Sequence, residues 1–148
     1  MPLLPPYGYQ HSLSLLSPEL LARSSILYVW VTPEESRRKN IERANPTKQK
    51  AGNVHLSLHH GVPMAVMLNE YGCDDIEYLM SLSDKPDTVK VEAHGKAWRL
   101  PIGRFDNRQD KTTFVREPRD AWSPDDIKAL HQGLGAAFAA LIKAQPNR

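Results

Sequence analysis

The sequence predicts an α/β fold that closes with a β-hairpin and a long terminal helix, and three observations carry that prediction. Residues 26–31, Ile-Leu-Tyr-Val-Trp-Val, form an unbroken β-branched and aromatic run. A strand exposed on one face alternates polar and apolar residues, so this run is expected to be buried on both faces, as strands inside parallel sheets are. Three helix starts repeat one grammar, a hydroxyl cap followed by proline, at Ser17-Pro18, Thr32-Pro33 and Ser123-Pro124. Finally, residues 88–92 and 97–102 alternate on either side of His94-Gly95, the signature of a hairpin with a tight turn. A stand-alone α+β domain is the alternative arrangement of the same elements.

The chain has 148 residues, enough for a single domain with a sizeable core. Nineteen Lys and Arg against seventeen Asp and Glu leave a net charge of +2, so no global field calls for a nucleic acid or an anionic membrane. A lone cysteine, Cys73, cannot form an internal disulfide. No apolar run is long enough to span a bilayer, and the opening MPLLPPYG lacks the charged and apolar regions of a signal peptide. A soluble, cytoplasmic protein with no membrane partner is expected. The twelve prolines favour short, punctuated elements over a long bundle.

Taken in chain order, residues 2–14 carry three prolines and a glycine and read as an extended loop. A short helix is expected from Pro18 to about Arg23, followed by the strand at 26–31. Thr32, Pro33 and Glu35 then form a capping-box start for PEESRRKNIERA, residues 33–44. That helix has almost no apolar stripe and is expected to be solvated or to face a charged ligand. Residues 45–57 read as a loop. A helix opens near Pro63 and stops at Gly72, and Asp74 or Asp75 caps the next, with Ile76, Leu79, Met80 and Leu82 on its apolar face. After the hairpin, residues 112–115 offer one more short strand. The last helix runs from Pro124 to about Ala144, with Gly133 and Gly135 either weakening it or permitting close packing.

Three clusters carry candidate chemistry. The first is the helix at 33–44, whose Arg37, Arg38, Lys39 and Arg43 emerge directly from a strand, where ligands of open α/β sheets bind. Guanidinium forks suit phosphate oxygens, which makes Arg37, Arg38 and Arg43 the candidate phosphate ligands. The same helix also reads as a solvated surface with i,i+4 pairs Glu34–Arg38 and Glu35–Lys39. The wider window 34–50 holds six basic residues against three glutamates and is the plausible polyanion patch. Second, Asp106, Asn107 and Arg108 could coordinate magnesium or orient a phosphate, or simply form a salt-bridged surface loop. Third, His55, His59 and His60 are metal-ligand types, yet no CxxC or HExxH frames them and structural histidines explain them as well. Acids beside Cys73 disfavour a catalytic thiolate.

Residues 26–44, ILYVWVTPEESRRKNIERA, resemble a later strand and the basic lid helix of P-loop nucleotide kinases. LPPYGYQHSLSLLSPELL, SLHHGVPMAVMLNEYGCDDIEYL and LPIGRFDNRQDKTTF extend the resemblance, across residues 3 to about 140, to a group of bacterial P-loop kinase-like proteins. The resemblance implies a doubly wound, three-layer α/β fold that binds ATP and Mg2+, with Arg37, Arg38 and Arg43 as lid arginines. The phosphate-cradling G-x-x-x-x-G-K-[ST] loop is absent, and the one Gly-Lys pair, Gly95-Lys96, is followed by Ala97 within the hairpin. The expectation is therefore the C-terminal part of a kinase-like domain, not catalytic alone. The alternative is a non-enzymatic module that binds RNA or an acidic protein through the same basic patch.

Overall fold

Three strands form one sheet in the order β1-β3-β2, with β1 spanning Ile26–Trp30, β2 Thr88–Ala93 and β3 Lys96–Asp106. The computed structural model describes residues 3–44, 61–69 and 74–145. Its contacts divide into two compact units, Met1–Trp30 with Asp74–Arg148, and Val31–Cys73.

The first unit contains the sheet. β2 and β3 form the expected hairpin, pairing antiparallel from Thr88↔Pro101 to Ala93↔Lys96. His94 and Gly95 take φ of 53° and 73°, the left-handed pair that a type I′ turn requires. β3 then runs past the hairpin and pairs parallel with β1, from Ile26↔Ile102 to Trp30↔Asp106. The parallel pairing agrees with the expectation for residues 26–31; burial on both faces does not. β1 lies at the sheet edge with an alternating pattern, Leu27 and Val29 exposed and Ile26, Tyr28 and Trp30 half-buried. An unbroken apolar run specifies a strand but not whether a neighbour covers each face.

Register and the two-residue side-chain period assign the faces. One face carries Val89, Val91, Leu100 and Ile102, all buried, against Leu21, Ile76 and Leu79. Those last three come from α2, Pro18–Arg23, and α5, Ile76–Ser81. The layer is completed by α1, Gly8–Ser14, where a loop is expected from sequence. The long-range reason is Asp75. Its buried carboxylate accepts the backbone N–H groups of Tyr9 at 2.6 Å and Gln10 at 3.4 Å, donors that the start of a helix leaves open, and of Leu3 ahead of it at 3.4 Å. Asp74, by contrast, accepts from Ile76 N–H at 3.0 Å at the start of α5. Gly8 is required at this junction: φ is +87° and a Cβ would sit 2.6 Å from the Asp75 carboxylate.

The opposite face of β3 is covered by α6, Pro124–Ala144, which starts as expected with Ser123 Oγ accepting from Asp126 N–H at 3.2 Å. Gly103 and Gly133 allow close packing, whereas a Cβ on Gly135 would meet nothing within 4 Å. A Cβ on Gly103 would lie 2.1 Å from the Ala137 carbonyl oxygen, and one on Gly133 would meet the Phe105 ring at 2.5 Å. Between β3 and α6 the chain forms 3-10 turns at Thr113–Arg116 and Arg119–Ala121, not the short strand expected at 112–115. Asn107 dictates that outcome, since its side chain binds Lys111 N–H and Thr112 Oγ1 and curls the backbone back on itself.

The second unit contains α3, Pro33–Ala44, and α4, Met64–Asn69. Thr32 Oγ1 accepts from Glu35 N–H at 3.2 Å, as its cap position predicts. Asn40 is buried and its carboxamide both donates to and accepts from the Val62 backbone, each at 2.7 Å. The expected loop at 45–57 lies outside the described residues. Among the described residues no helix is long and apolar enough to cross a membrane.

Candidate functional site

Because β1 and β3 are parallel, their carboxyl ends coincide, and in open α/β sheets that end is where ligands bind. Trp30 and Asp106 are the terminal pair. Arg104 lies two residues before Asp106 and therefore on the same face as Trp30. Its guanidinium carbon is 4.5 Å from the Trp30 ring centroid, and that of Arg108 is 3.9 Å away. Two cations within cation–π range of one indole are a concentrated arrangement for a small domain.

The two guanidiniums differ in how fully they are engaged. Arg108 is held by Asp106 through two bonds, Nε to Oδ1 at 2.9 Å and Nη2 to Oδ2 at 2.8 Å. The Arg108 guanidinium in turn holds the Asp106 carboxyl well below the usual carboxylate range. Among the described residues Arg104 makes one hydrogen bond, Nη1 to Glu77 Oε1 at 3.0 Å, and its side chain is 42% exposed. Lys111 Nζ donates to the Asp106 carbonyl at 2.8 Å, adding a third cation to the strand end.

Asn107 is structural. It is buried, its N–H donates to the Trp30 carbonyl at 2.9 Å, its Oδ1 accepts from Lys111 N–H at 2.7 Å and its Nδ2 donates to Thr112 Oγ1 at 3.0 Å. It thereby locks the loop that presents Asp106 and Arg108. Beneath Trp30 on the same face, Tyr28 donates its hydroxyl to Asp74 Oδ2 at 2.6 Å and meets Tyr9 edge-on. Partial burial and then the Asp74 carboxylate push the Tyr28 hydroxyl upward from its ordinary value.

The α3 arginines present a separate picture within the second unit. Arg37 pairs with Glu34 at 3.3 Å, so Glu34 does not reach Arg38 as the i,i+4 spacing suggests. Arg38 pairs with both Glu35 and Glu42 at 2.6 Å, and Lys39 lies 3.7 Å from Glu35. Arg43 is exposed and its Nε donates to the Lys39 carbonyl at 3.5 Å. Most of the helix's positive charge is thus balanced along its own surface.

His55, His59, His60 and Cys73 lie outside the described residues. Among the described residues no cluster of three His, Cys, Asp or Glu could hold a metal ion. Both Asp106 carboxylate oxygens accept from Arg108, at 2.9 and 2.8 Å, and the Asp106 side chain is 42% exposed. A concavity of about 450 Å3 opens at the hairpin turn, lined by Glu92, Ala93, His94, Gly95, Lys96 and Ala97, remote in the strands from the carboxyl ends.

Sequence reasoning singled out Asp106 and Arg108 but missed Trp30, Arg104 and Glu77. The signal available was the alternation of β3: residues 102, 104 and 106 must share a face, which puts Arg104 beside Asp106. What alternation cannot supply is the parallel register that brings Trp30 over both. No protein-family model, curated protein or solved structure matches this chain.

Proposed function

We propose that this chain is a phosphate-facing, nucleotide-binding α/β domain of the P-loop kinase-like type that does not catalyse phosphoryl transfer by itself. The observation that supports the reading is the pair of guanidiniums, Arg104 and Arg108, against Trp30 at the carboxyl ends of the parallel strands. Arginine forks bind phosphate oxygens bidentately, and an indole offers a flat partner for a base or for the guanidiniums themselves. Arg104 is the leading phosphate ligand because one of its donors is engaged among the described residues and its side chain is 42% exposed. Arg108 is oriented by Asp106, and Arg37, Arg38 and Arg43 of α3 are the second candidate set.

The absence of a G-x-x-x-x-G-K-[ST] loop supports a binding role over a catalytic one, since no backbone cradle for a transferring phosphoryl group is encoded. Phosphate is positioned in this reading by guanidinium donors alone. The alternative of an RNA- or acidic-protein-binding module is less favoured, because the carboxylates of Glu34, Glu35 and Glu42 neutralise much of α3.

Calorimetric titration with ATP, with and without Mg2+, tests the reading. The wild-type chain is expected to bind and Arg104→Ala to bind at least about tenfold more weakly, in line with the loss of one charge-assisted contact. Parallel titrations of Arg38→Ala and Arg43→Ala report whether α3 contributes. Absence of ATP binding by the wild type overturns the proposal, and a steep salt dependence with an RNA oligomer but not with ATP favours the polyanion alternative.

A further inference from the structure

Trp30 stands opposite Asp106 in the parallel register, and Arg104 and Arg108 lie two residues to either side of that partner. The two guanidiniums therefore come to the indole from opposite directions along the chain and cover it between them, at 4.5 and 3.9 Å from its centroid. A nucleobase needs an open aromatic face to stack on, and donors or acceptors to meet its polar edge. At Trp30 the stacking positions are held by cations.

The neutral polar groups around Trp30 are engaged as well. Its carbonyl accepts from Asn107 N–H, and the Asn107 carboxamide is bonded at both ends, to Lys111 N–H and Thr112 Oγ1. Tyr28 gives its hydroxyl to Asp74 and meets Tyr9 edge-on. The strand ends therefore offer a ligand charge and little else. Arg104 and Arg108 are both exposed, and Arg108 Nη1 makes no hydrogen bond among the described residues. Glu77, the partner of Arg104, is also exposed. Ion pairs in that setting contribute little, so a multiply charged anion displaces the carboxylate.

We infer that this site, on the phosphate-binding reading given above, takes the di- or triphosphate portion of its ligand and does not read the base. Trp30 is then a positioning residue, which acts by holding two guanidiniums. Their distances from one centroid keep the guanidinium carbons less than about 9 Å apart, so phosphoryl groups joined through a bridging oxygen reach both forks. Nucleoside triphosphates and inorganic tripolyphosphate share that chemistry.

Calorimetric titration of the full chain with ATP, CTP, tripolyphosphate and adenosine at one ionic strength tests the inference. The three triphosphates are expected to bind within about fivefold of one another, and adenosine to give no binding heat. Tripolyphosphate binding more tightly than either nucleotide also supports it and identifies an inorganic chain as the ligand. ATP binding more than about fivefold tighter than CTP or tripolyphosphate shows that the base is read. That result overturns the inference and leaves the phosphate-binding reading intact, whereas no binding of ATP or tripolyphosphate overturns both. Adenosine binding alone also overturns it. Trp30→Leu, with circular dichroism reporting its fold, is expected to weaken ATP and tripolyphosphate by the same factor, at least about threefold. A loss confined to ATP, or no loss for either ligand, contradicts the positioning role. The wild-type series decides the question of the base independently of how that variant folds.

Discussion

β2 and β1 bound the same three-stranded sheet, yet among the described residues a side chain binds the outer backbone of β2 and none binds that of β1. Around β2 the chain closes on itself: Gln10 occupies the Glu92 backbone, His94 contacts the Leu16 carbonyl at 2.8 Å, and α1, α2 and α5 bury Val89, Val91 and Leu100. Around β1, Leu27 and Val29 on the face that α6 packs against remain 40% and 48% exposed. The difference separates a strongly buried side of the sheet from a more exposed one. The largest buried cluster lies on the β2 side of the sheet, whereas the arginine cluster joins β1 to β3 through Trp30.

Paired substitutions test that division. Ile76, fully buried under the sealed face, is expected to cost about 3 kcal/mol when truncated to alanine. Leu27→Ala, at a position 40% exposed on the same sheet, is expected to cost less than about 1 kcal/mol, as measured by urea denaturation. Comparable losses at the two positions break the comparison.

Asp75→Ala removes the acceptor for three N–H groups around α1 and is expected to cost about 2 kcal/mol, with proteolysis of residues near Tyr9 accelerating. Tyr28→Phe deletes the bond to Asp74 and is expected to cost about 1 kcal/mol near neutral pH. The pH sign follows from the raised Tyr28 value, since the folded state favours the protonated hydroxyl. Its stabilisation is complete below the unfolded-state value near 10 and fades as pH rises toward the folded-state value. Alkaline denaturation of Tyr28→Phe should therefore be shallower than that of the wild type. Gln10→Ala carries the smallest expected stability loss, about 0.5 kcal/mol. It sharpens the comparison by unsealing β2, and the Glu92 amide is expected to lose exchange protection.

Local chemistry made much of the fold legible. The caps at Ser17, Thr32 and Ser123 are made as their spacing predicts, and His94-Gly95 makes the hairpin turn. What local patterns could not reveal depended on contacts distant in sequence. α1 exists because Asp75, more than sixty residues away, caps it. The edge position of β1 follows from the strand order β1-β3-β2, which no feature of ILYVW encodes. The site divides along the same line. Asp106 and Arg108 form a local pair two residues apart, but Arg104 meets Glu77 across twenty-seven residues, and Trp30 meets both arginines only through the parallel register.

Trp30, Trp98 and Trp122 are the chain's three tryptophans, which gives the ligand-binding claim a direct readout. Trp98 donates to the Ala93 carbonyl in the hairpin, and Trp122 to the Glu117 carbonyl ahead of α6. Titrating ATP into 15N-labelled protein is expected to shift the indole resonance of Trp30 saturably while Trp98 and Trp122 stay in place, with the response lost in Arg104→Ala. A stationary Trp30 resonance at saturating ATP, or an identical shift in Arg104→Ala, contradicts the assignment of the carboxyl ends of β1 and β3 as the phosphate-facing site.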